Sequence, residues 1–198
     1  MNKLLIGTSN SAKINTYKSL LKDYGFEVIS AKDLDIPTPE EVGETFEKQA
    51  IDKAKYYFEQ SGIPALVDDG GFEIEALNGE PGIKSHRWLG HEMNDEEVIS
   101  EVIKRMKDIV PEKRGCKFTV VLALATPVGV FTAESCREGI VAESPSDKIT
   151  KGYPYDSVMY LSKYGKFVSE LPDSDYEIVN IRRHAFEKLH DILKELEK

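Results

Sequence analysis

The sequence lacks any apolar run long enough to cross a membrane, since eighteen consecutive apolar residues occur nowhere in its 198 residues. The N-terminal MNKLLIGTSN turns polar after a short apolar run, which is too short for the core of a signal peptide. We therefore expect a cytoplasmic protein that does not act at a membrane.

Cysteine and positive charge are both scarce. The two cysteines, Cys116 and Cys136, lie in apparent strands without the spacing of metal ligands, so we expect buried thiols and no disulfide or zinc site. With 26 Lys and Arg against 35 Asp and Glu, the net charge of −9 argues against a protein that coats nucleic acid. A small phosphorylated ligand held by a few local cations remains compatible with this charge.

The chain also lacks internal repeats, low-complexity tracts and flexible linkers. Its 40% hydrophobic and 31% charged residues are typical of a soluble globular protein large enough to bury a core. The simplest organisation is one domain over residues 1–198, built as one compact unit or as two tightly associated lobes.

Hydrophobic periodicity predicts alternating strands and helices that give way to paired antiparallel strands, and hence an α/β fold with a mixed sheet. Strands are predicted at 3–7, 26–29, 63–67 and 72–75, and a long hairpin at 116–125 and 130–136 that continues through 139–141. Helices are predicted after the junction Thr8-Ser9-Asn10-Ser11, whose short side chains can cap a helix, after the caps Thr45 and Asn94, with ends near Gly62 and Asp108, and again from about Ile181.

The central stretch IPALVDDGGFEIEALNGEPGIKSHRW contains the strongest functional signal. An apolar strand at 63–67 ends in Asp68-Asp69-Gly70-Gly71, which would bring two acids to the end of a sheet, where open α/β sheets bind ligands. Aspartate and glycine are also ordinary turn residues, so a simple strand-ending turn fits this short stretch equally well.

Other segments carry weaker signals, each with a plain structural alternative. Asn10 and Lys13 at the first strand–helix junction could hold an anion, or form an ordinary helix cap with a solvated lysine. The junction lacks the glycines of a Walker loop. The segment KGYPYDSVMY at 151–160 could stack on a purine and recognise its edge, or form a packed aromatic turn.

Taken in order and spacing, several segments of the chain resemble the Ham1-type inosine/xanthosine triphosphate pyrophosphatases. These segments are TSNSAK, ETFEKQAIDKAK, PALVDDGGFEIEALNGEPGIKSHR, EGIVAESP and GYPYD, and together they extend over nearly the whole chain. The resemblance implies an elongated mixed β-sheet with flanking helices, of the ITPase/Maf-like type, with two lobes around a central active-site cleft. It also implies a cytoplasmic homodimer that cleanses the nucleotide pool by Mg²⁺-dependent hydrolysis of ITP, dITP and XTP to monophosphate and pyrophosphate.

The resemblance implies a role for each matching position. Glu41 and Asp69 would bind Mg²⁺, and Asp69, Asp68 and Lys53 would form the catalytic group, with Asp69 as the base that activates water. The remaining matches would bind the substrate: Thr8, Asn10 and Lys13 the triphosphate, Ser85 and Arg87 a region near the phosphates, and Tyr153, Tyr155, Asp156 and Arg182 the base.

The C-terminal segment departs from the family pattern. A lysine usual in the family is replaced by Tyr176, and the usual Ser-His-Arg triplet reads Asn180-Ile181-Arg182. Two alternatives therefore stay open beside the inosine/xanthosine reading. One is a triphosphate pyrophosphatase with a shifted base preference, and the other is a nucleotide-binding module without turnover.

Overall fold

The structure, a computed structural model, describes residues 2–198. Within this range the strands are β1 Asn2–Ile6, β2 Phe26–Ser30, β3 Ala65–Ile74, β4 Gly115–Thr126, β5 Gly129–Val141, β6 Met159–Leu161 and β7 Lys166–Phe167. The α-helices are α1 Ser11–Leu20, α2 Phe46–Ser61, α3 Asp95–Arg105, α4 Asp173–Val179, α5 Ile181–Glu187 and α6 His190–Leu196.

The strands form a seven-stranded sheet in the order β2-β1-β3-β4-β5-β6-β7. Strand β1 runs parallel to β2 and β3, whereas β5, β6 and β7 pair antiparallel. The predicted α/β class with a mixed sheet is therefore confirmed. No helix in residues 2–198 combines the length and apolar character that a membrane span requires.

The predicted helix caps are confirmed. The Asn10 side chain accepts hydrogen bonds from the first turn of α1, and Thr45 accepts one from the Lys48 N–H at 3.1 Å at the start of α2. Asn94 and Glu97 form a reciprocal capping box at α3. Because each cap is encoded within four residues, the sequence alone is enough to locate these helix starts.

The twin aspartates lie inside a strand, so the prediction that the strand ends there is wrong. Strand β3 continues through Asp68, Asp69 and both glycines to Ile74. Its pairing with β1 ends at the Ile6–Leu66 pair, but β4 remains its hydrogen-bonded neighbour on the other side. Glycine is permitted in extended backbone as well as in turns, so composition could not distinguish the two conformations.

The C-terminal region also differs from the single predicted helix. Helices α5 and α6 are separated at 188–189, where the Leu189 N–H binds the Phe186 carbonyl three residues back and tightens the chain into a turn. Helix α4, which precedes them, was not predicted; it begins after Pro172 with two acids in its first turn. Helix α3 ends at Arg105, three residues before the predicted end.

The two cysteines occupy different environments. Cys116 is buried, and burial raises the pKa of its thiol to about 12, as expected for an inert core cysteine. Cys136 is exposed, which corrects the prediction of two buried thiols. Along β5 the even-numbered residues from 132 to 140 are exposed, and Cys136 belongs to that outward row.

Contacts along the chain divide it into two units. Unit 1 contains the residues up to Asp69, Val120–Ser135 and Ile181–Lys198, and unit 2 contains Gly70–Thr119 and Cys136–Asn180. In unit 1, one face of α2 packs on strands β1, β3 and β4 through Ala50, Ala54 and Tyr57. In unit 2, α3 packs on a core that includes Phe72, Tyr155 and Met159. The single domain with a cleft between two lobes stays a prediction.

Arg114 links two segments of unit 2 through side-chain hydrogen bonds. Its guanidinium donates to the carbonyls of Val141 and Ala142 at the end of β5 at 2.6 and 2.7 Å, and to Met106 and Ile109 after α3 at 2.6 and 3.1 Å. The residue is almost fully buried. It therefore provides charged donors to buried carbonyls of two segments and links those segments.

Replacing Arg114 by alanine is expected to lower the free energy of unfolding by about 3 kcal/mol, because buried carbonyls lose charge-assisted hydrogen bonds and a cavity remains. This corresponds to a fall in Tm of roughly 10 °C for a chain of this size. Thermal unfolding followed by circular dichroism would measure it. Lys104→Ala removes a lysine whose side chain is 75% exposed and should shift Tm by no more than a degree or two. Equal Tm shifts for the two variants would show that the Arg114 hydrogen bonds do not stabilise the fold in particular.

Candidate active site

The twin aspartates of β3 serve two different clusters. Consecutive residues of a strand point to opposite faces, so the carboxylates of Asp68 and Asp69 point away from each other. Asp69 lies on the same side as Val67, which packs in the core beneath α2. Asp68 points the other way, toward α1 and α5.

The Asp68 carboxylate forms a buried cluster in unit 1. Its Oδ1 pairs with the Lys13 ammonium at 2.7 Å, and its Oδ2 accepts hydrogen bonds from the Tyr17 hydroxyl at 2.5 Å and from the Arg182 Nε at 2.7 Å. The Lys13 ammonium also donates to the Asp68 backbone carbonyl at 3.1 Å. One carboxylate thus holds both the lysine predicted to bind phosphate and the arginine predicted to bind the base.

Electrostatics explain how a charge can be buried at this point. Burial alone would raise the pKa of Asp68, but the Arg182 guanidinium, the Lys13 ammonium and the hydrogen bonds from Lys13 and Tyr17 outweigh it and hold the pKa well below its ordinary 3.8. Two cations against one carboxylate leave the cluster with a net positive charge, which favours an anionic ligand. The Asp68 oxygens face these partners and orient the Lys13 and Arg182 side chains, and the predicted catalytic role of Asp68 stays a prediction.

Asp69, Glu41 and Lys53 form the second cluster. The Lys53 ammonium, on α2, pairs with the Asp69 carboxylate at 2.6 Å and with the Glu41 carboxylate from the preceding loop. All three side chains are largely buried but retain some exposure. Two carboxylates against one ammonium leave this cluster with a net negative charge, opposite to that of the Asp68 cluster.

The loop that carries Glu41 is fixed to α2. The Gln49 side-chain amide, which is buried, donates to the Gly43 carbonyl at 2.8 Å. A Cβ on Gly43 would lie 2.8 Å from the Gln49 Cγ, so only glycine allows this close approach. The glycine and the glutamine therefore position Glu41 beside Lys53.

The Glu41 and Asp69 pair fits a magnesium ion. Their carboxylates come from different segments and already converge on one cation, the Lys53 ammonium. Residues 2–198 contain no group of three or more His, Cys, Asp or Glu side chains placed to hold a metal. Mg²⁺ commonly takes only one or two protein carboxylates and completes its shell with waters and substrate phosphates, so two are sufficient.

At the first strand–helix junction, Thr8 and Asn10 organise the turn. The Thr8 hydroxyl accepts from the Asn10 N–H at 3.2 Å, and the Asn10 Oδ1 accepts from the N–H groups of Ala12 and Lys13 at 2.9 and 3.3 Å. The Asn10 oxygen therefore already accepts hydrogen bonds from two N–H groups that an anion at this junction would otherwise use. Thr8 and Ser9 also line a cavity of about 250 Å³.

In unit 2, Ser85 and Tyr155 hold neighbouring segments together through hydrogen bonds. The Ser85 hydroxyl accepts from the Phe72 N–H at 2.8 Å and donates to the Gly82 carbonyl at 2.6 Å, and its own carbonyl accepts from the Tyr155 hydroxyl at 2.5 Å. The Tyr155 ring is buried and stacks on Phe72 with 4.6 Å between centroids, and burial raises the pKa of its phenol. In this conformation the packed aromatic turn, the structural alternative, describes Tyr155 better than a base-stacking surface. Arg87, on the loop after Ser85, is exposed.

Tyr153 and Asp156 flank Tyr155 in the chain. Tyr153 is half-buried, whereas Asp156 is buried and its Oδ1 pairs with the Arg137 Nη2 at 2.6 Å. The sequence reasoning missed Arg137, although a signal exists. The inward residues of β5 include Ala133, Arg137 and Val141, and an arginine in such a row demands a buried partner. The sequence reasoning also missed Tyr17, since its spacing along α1 indicates only a residue of the apolar face of that helix.

The departures from the family pattern are accommodated in the fold. Tyr176, which replaces the lysine, packs against the apolar core of unit 2. Asn180 and Ile181 are buried at the junction of α4 and α5. Arg182, the residue of the triplet that matches the family, is the one bound to Asp68.

Comparison with known proteins identifies relatives along the whole chain. A dITP/XTP pyrophosphatase of Haemophilus influenzae is 35% identical over 190 residues, covering 94% of this chain and 96% of that protein. A dITP/XTP pyrophosphatase of Yersinia pseudotuberculosis is 32% identical and covers 98% of this chain and 100% of that protein. The solved structure of a HAM1 protein from Coxiella burnetii superposes with a TM-score of 0.86 at 31% identity, covering 98% of this chain and 100% of that one.

The Ham1 family model matches residues 4–192. This range contains all the segments on which the resemblance was based, and both clusters of β3. The resemblance seen in the sequence is therefore confirmed, and the chain belongs to the Ham1 family.

Proposed function

We propose that this protein hydrolyses noncanonical purine nucleoside triphosphates, namely dITP, XTP and ITP, to the monophosphate and pyrophosphate, and so cleanses the nucleotide pool. The observation that carries the proposal is the pair of oppositely charged clusters on either face of β3. A triphosphate and its metal need a cationic and an anionic group together. The names of the relatives, dITP/XTP pyrophosphatases, support the same reaction and substrate class.

Lys13, with Thr8 and Asn10, is the proposed triphosphate site. The ammonium is already oriented by Asp68, so little entropy is lost when a phosphate approaches it. The Thr8 hydroxyl and the Asn10 amide are polar groups of the same turn. A few such cations suffice for a compact ligand, even in a chain with a net charge of −9.

Glu41 and Asp69 are the proposed Mg²⁺ ligands. When bound, the ion would neutralise charge on the phosphates and so assist departure of pyrophosphate. Asp69 is the proposed base, since a carboxylate that the Lys53 ammonium holds in place at 2.6 Å can orient or deprotonate water. Lys53 holds both carboxylates in place and adds positive charge close to the phosphates.

Tyr153, Asp156 and Arg182 are the proposed base-recognition groups. Tyr153 is half-buried, and the Asp156 carboxylate, paired with Arg137, offers hydrogen-bond acceptor oxygens. The N1–H group of hypoxanthine and xanthine is a donor, whereas N1 of adenine is an acceptor. A carboxylate at this position would therefore favour bases with a 6-keto group.

A shifted base preference is the second candidate function. Tyr176 replaces a lysine usual in the family and packs against the core of unit 2, so any contact which that lysine makes is lost here. A binding module without turnover is disfavoured, because Glu41, Lys53 and Asp69 retain the arrangement that metal-assisted hydrolysis requires. The homodimer and the cytoplasmic location implied by the family resemblance stay predictions.

A product assay tests the proposal. Purified protein with Mg²⁺ is incubated with ITP, XTP, dITP and the standard triphosphates, and monophosphate and pyrophosphate are measured separately. We expect equimolar monophosphate and pyrophosphate, with kcat/KM for the preferred 6-keto substrate at least about 100-fold above that for ATP. Preference for another base would favour the second candidate, and no turnover of any nucleotide would favour the binding module.

The same assay in excess EDTA tests the metal. Activity should fall to background and return when Mg²⁺ is added, because protein cations alone leave the pyrophosphate leaving group insufficiently neutralised. Undiminished turnover in EDTA would overturn the magnesium proposal.

A further inference from the structure

Arg114 and Arg137 are both buried arginines of unit 2, but their hydrogen bonding differs. The guanidinium nitrogens of Arg114 each reach a backbone carbonyl, with four bonds in all. Arg137 makes one short bond, from Nη2 to Asp156 Oδ1 at 2.6 Å, and a long one from Nη1 to the Val179 carbonyl at 3.4 Å. Its buried Nε has no hydrogen-bond partner among residues 2–198.

This incomplete pairing is unfavourable for stability. A buried donor without an acceptor costs about 1 to 3 kcal/mol, and a buried ion pair often contributes less than an apolar pair of the same volume. Packing alone therefore does not account for an arginine at this inward position of β5. The short hydrogen bond of the Arg137 guanidinium is with Asp156, and this bond fixes the orientation of that carboxylate.

The orientation of the Asp156 carboxylate would affect which bases the site accepts. Each side chain of the pair is only 8% exposed, so without the guanidinium the carboxylate would be a buried, uncompensated charge. In the pair with Arg137, the Oδ1 of Asp156 accepts from the guanidinium, and Oδ2 is the acceptor oxygen that would face the base. An acceptor at this point selects a purine that carries hydrogen at N1.

We propose that Arg137 is a specificity-positioning residue, which fixes Asp156 as an oriented acceptor and thereby sets the preference for 6-keto purines over adenine. This inference rests on the proposed function, because it assumes that Asp156 recognises the base. Arg137 itself does not contact the nucleotide. Its effect should therefore appear in base discrimination and KM, with kcat for the preferred substrate little changed.

The test compares Arg137→Met and Arg137→Lys with the wild type, and uses Arg114→Lys as the matched control for perturbing a buried arginine. Two ratios are measured: kcat/KM for ITP over ATP, and Kd for AMP over IMP by calorimetry. Arg137→Met should lower both ratios about 10-fold or more, mainly through a raised KM and Kd for the inosine nucleotide. Arg137→Lys should restore most of the discrimination, whereas Arg114→Lys should lower Tm and leave both ratios unchanged.

The double variant Arg137→Met/Asp156→Asn covers the case in which Arg137→Met fails to fold, because it leaves no unpaired buried carboxylate. It should fold and discriminate no better than Asp156→Asn alone. Unchanged ratios in the folded Arg137 variants, or losses that are equal for all bases, would overturn the inference.

The Kd measurements with AMP and IMP distinguish a failure of this inference from a failure of the proposed function. If the wild type hydrolyses no triphosphate, the proposed function fails, but the Kd ratio still decides the role of Arg137. A wild type that binds IMP and AMP equally would leave no discrimination for Arg137 to set and would overturn the inference. If the wild type binds IMP more tightly than AMP, a lower ratio of the AMP Kd to the IMP Kd in Arg137→Met would support the inference even without turnover.

Discussion

Replacement of Asp69 by asparagine is expected to lower kcat for pyrophosphate release by about 10³-fold, the largest catalytic effect among the site residues. Asparagine keeps the size of the side chain but cannot take a proton from water. It also removes one of the two carboxylates that converge on Lys53, so Mg²⁺ binding should weaken as well. Single-turnover kinetics measure the chemical step, and a Mg²⁺ titration of the nucleotide complex measures the metal affinity.

Asp52→Asn is the matched control. It makes the same chemical change on α2, at an exposed carboxylate whose partner is Lys48. Such surface pairs contribute little, so activity and Tm should match those of the wild type. Asp69→Asn should also unfold within a few degrees of the wild type, so that lost activity reports on chemistry. Retention of more than a tenth of wild-type kcat by Asp69→Asn would rule out Asp69 as the base.

Features encoded over short distances were predictable from the sequence. Asn10, Thr45 and Asn94 cap helices through bonds to residues two or three positions away, and the sequence locates Thr45 and Asn94 individually and Asn10 within the junction Thr8-Ser9-Asn10-Ser11. The alternation of strands and helices gave the fold class, because hydrophobic periodicity follows directly from which face of an element is buried. The Ham1 resemblance supplied the candidate site residues.

Features that depend on distant partners were not predictable. The twin aspartates were predicted at the end of a strand, and only the continuation of β3 beside β4 shows that they point to opposite faces and serve separate clusters. The burial of Tyr155 depends on its stacking on Phe72, 83 positions away. Arg137 gains its significance from Asp156, and no local pattern links the two residues.

The clearest case of such a distant interaction is Asp68, whose replacement by asparagine is expected to lower the free energy of unfolding at pH 7 by about 3 to 5 kcal/mol. Lys13 and Arg182, both largely buried, would then lose the carboxylate that they share. Activity should fall as well, since the same carboxylate orients both cations. Chemical denaturation measures the stability, and Asp52→Asn again controls for loss of one acidic charge.

The stability that Asp68 provides should depend on pH in a defined direction. Its pKa is held below the ordinary 3.8 in the folded state, so as pH falls past that value the unfolded chain takes up a proton before the folded one does. The advantage of the wild type over Asp68→Asn should therefore be full above about pH 5 and should shrink progressively below pH 4. A difference that stays constant from pH 7 to pH 2.5 would show that lost packing, and not the buried charge, accounts for the effect. A difference that narrows on acidification would establish Asp68 as the ionised group that holds Lys13 and Arg182 in the folded chain.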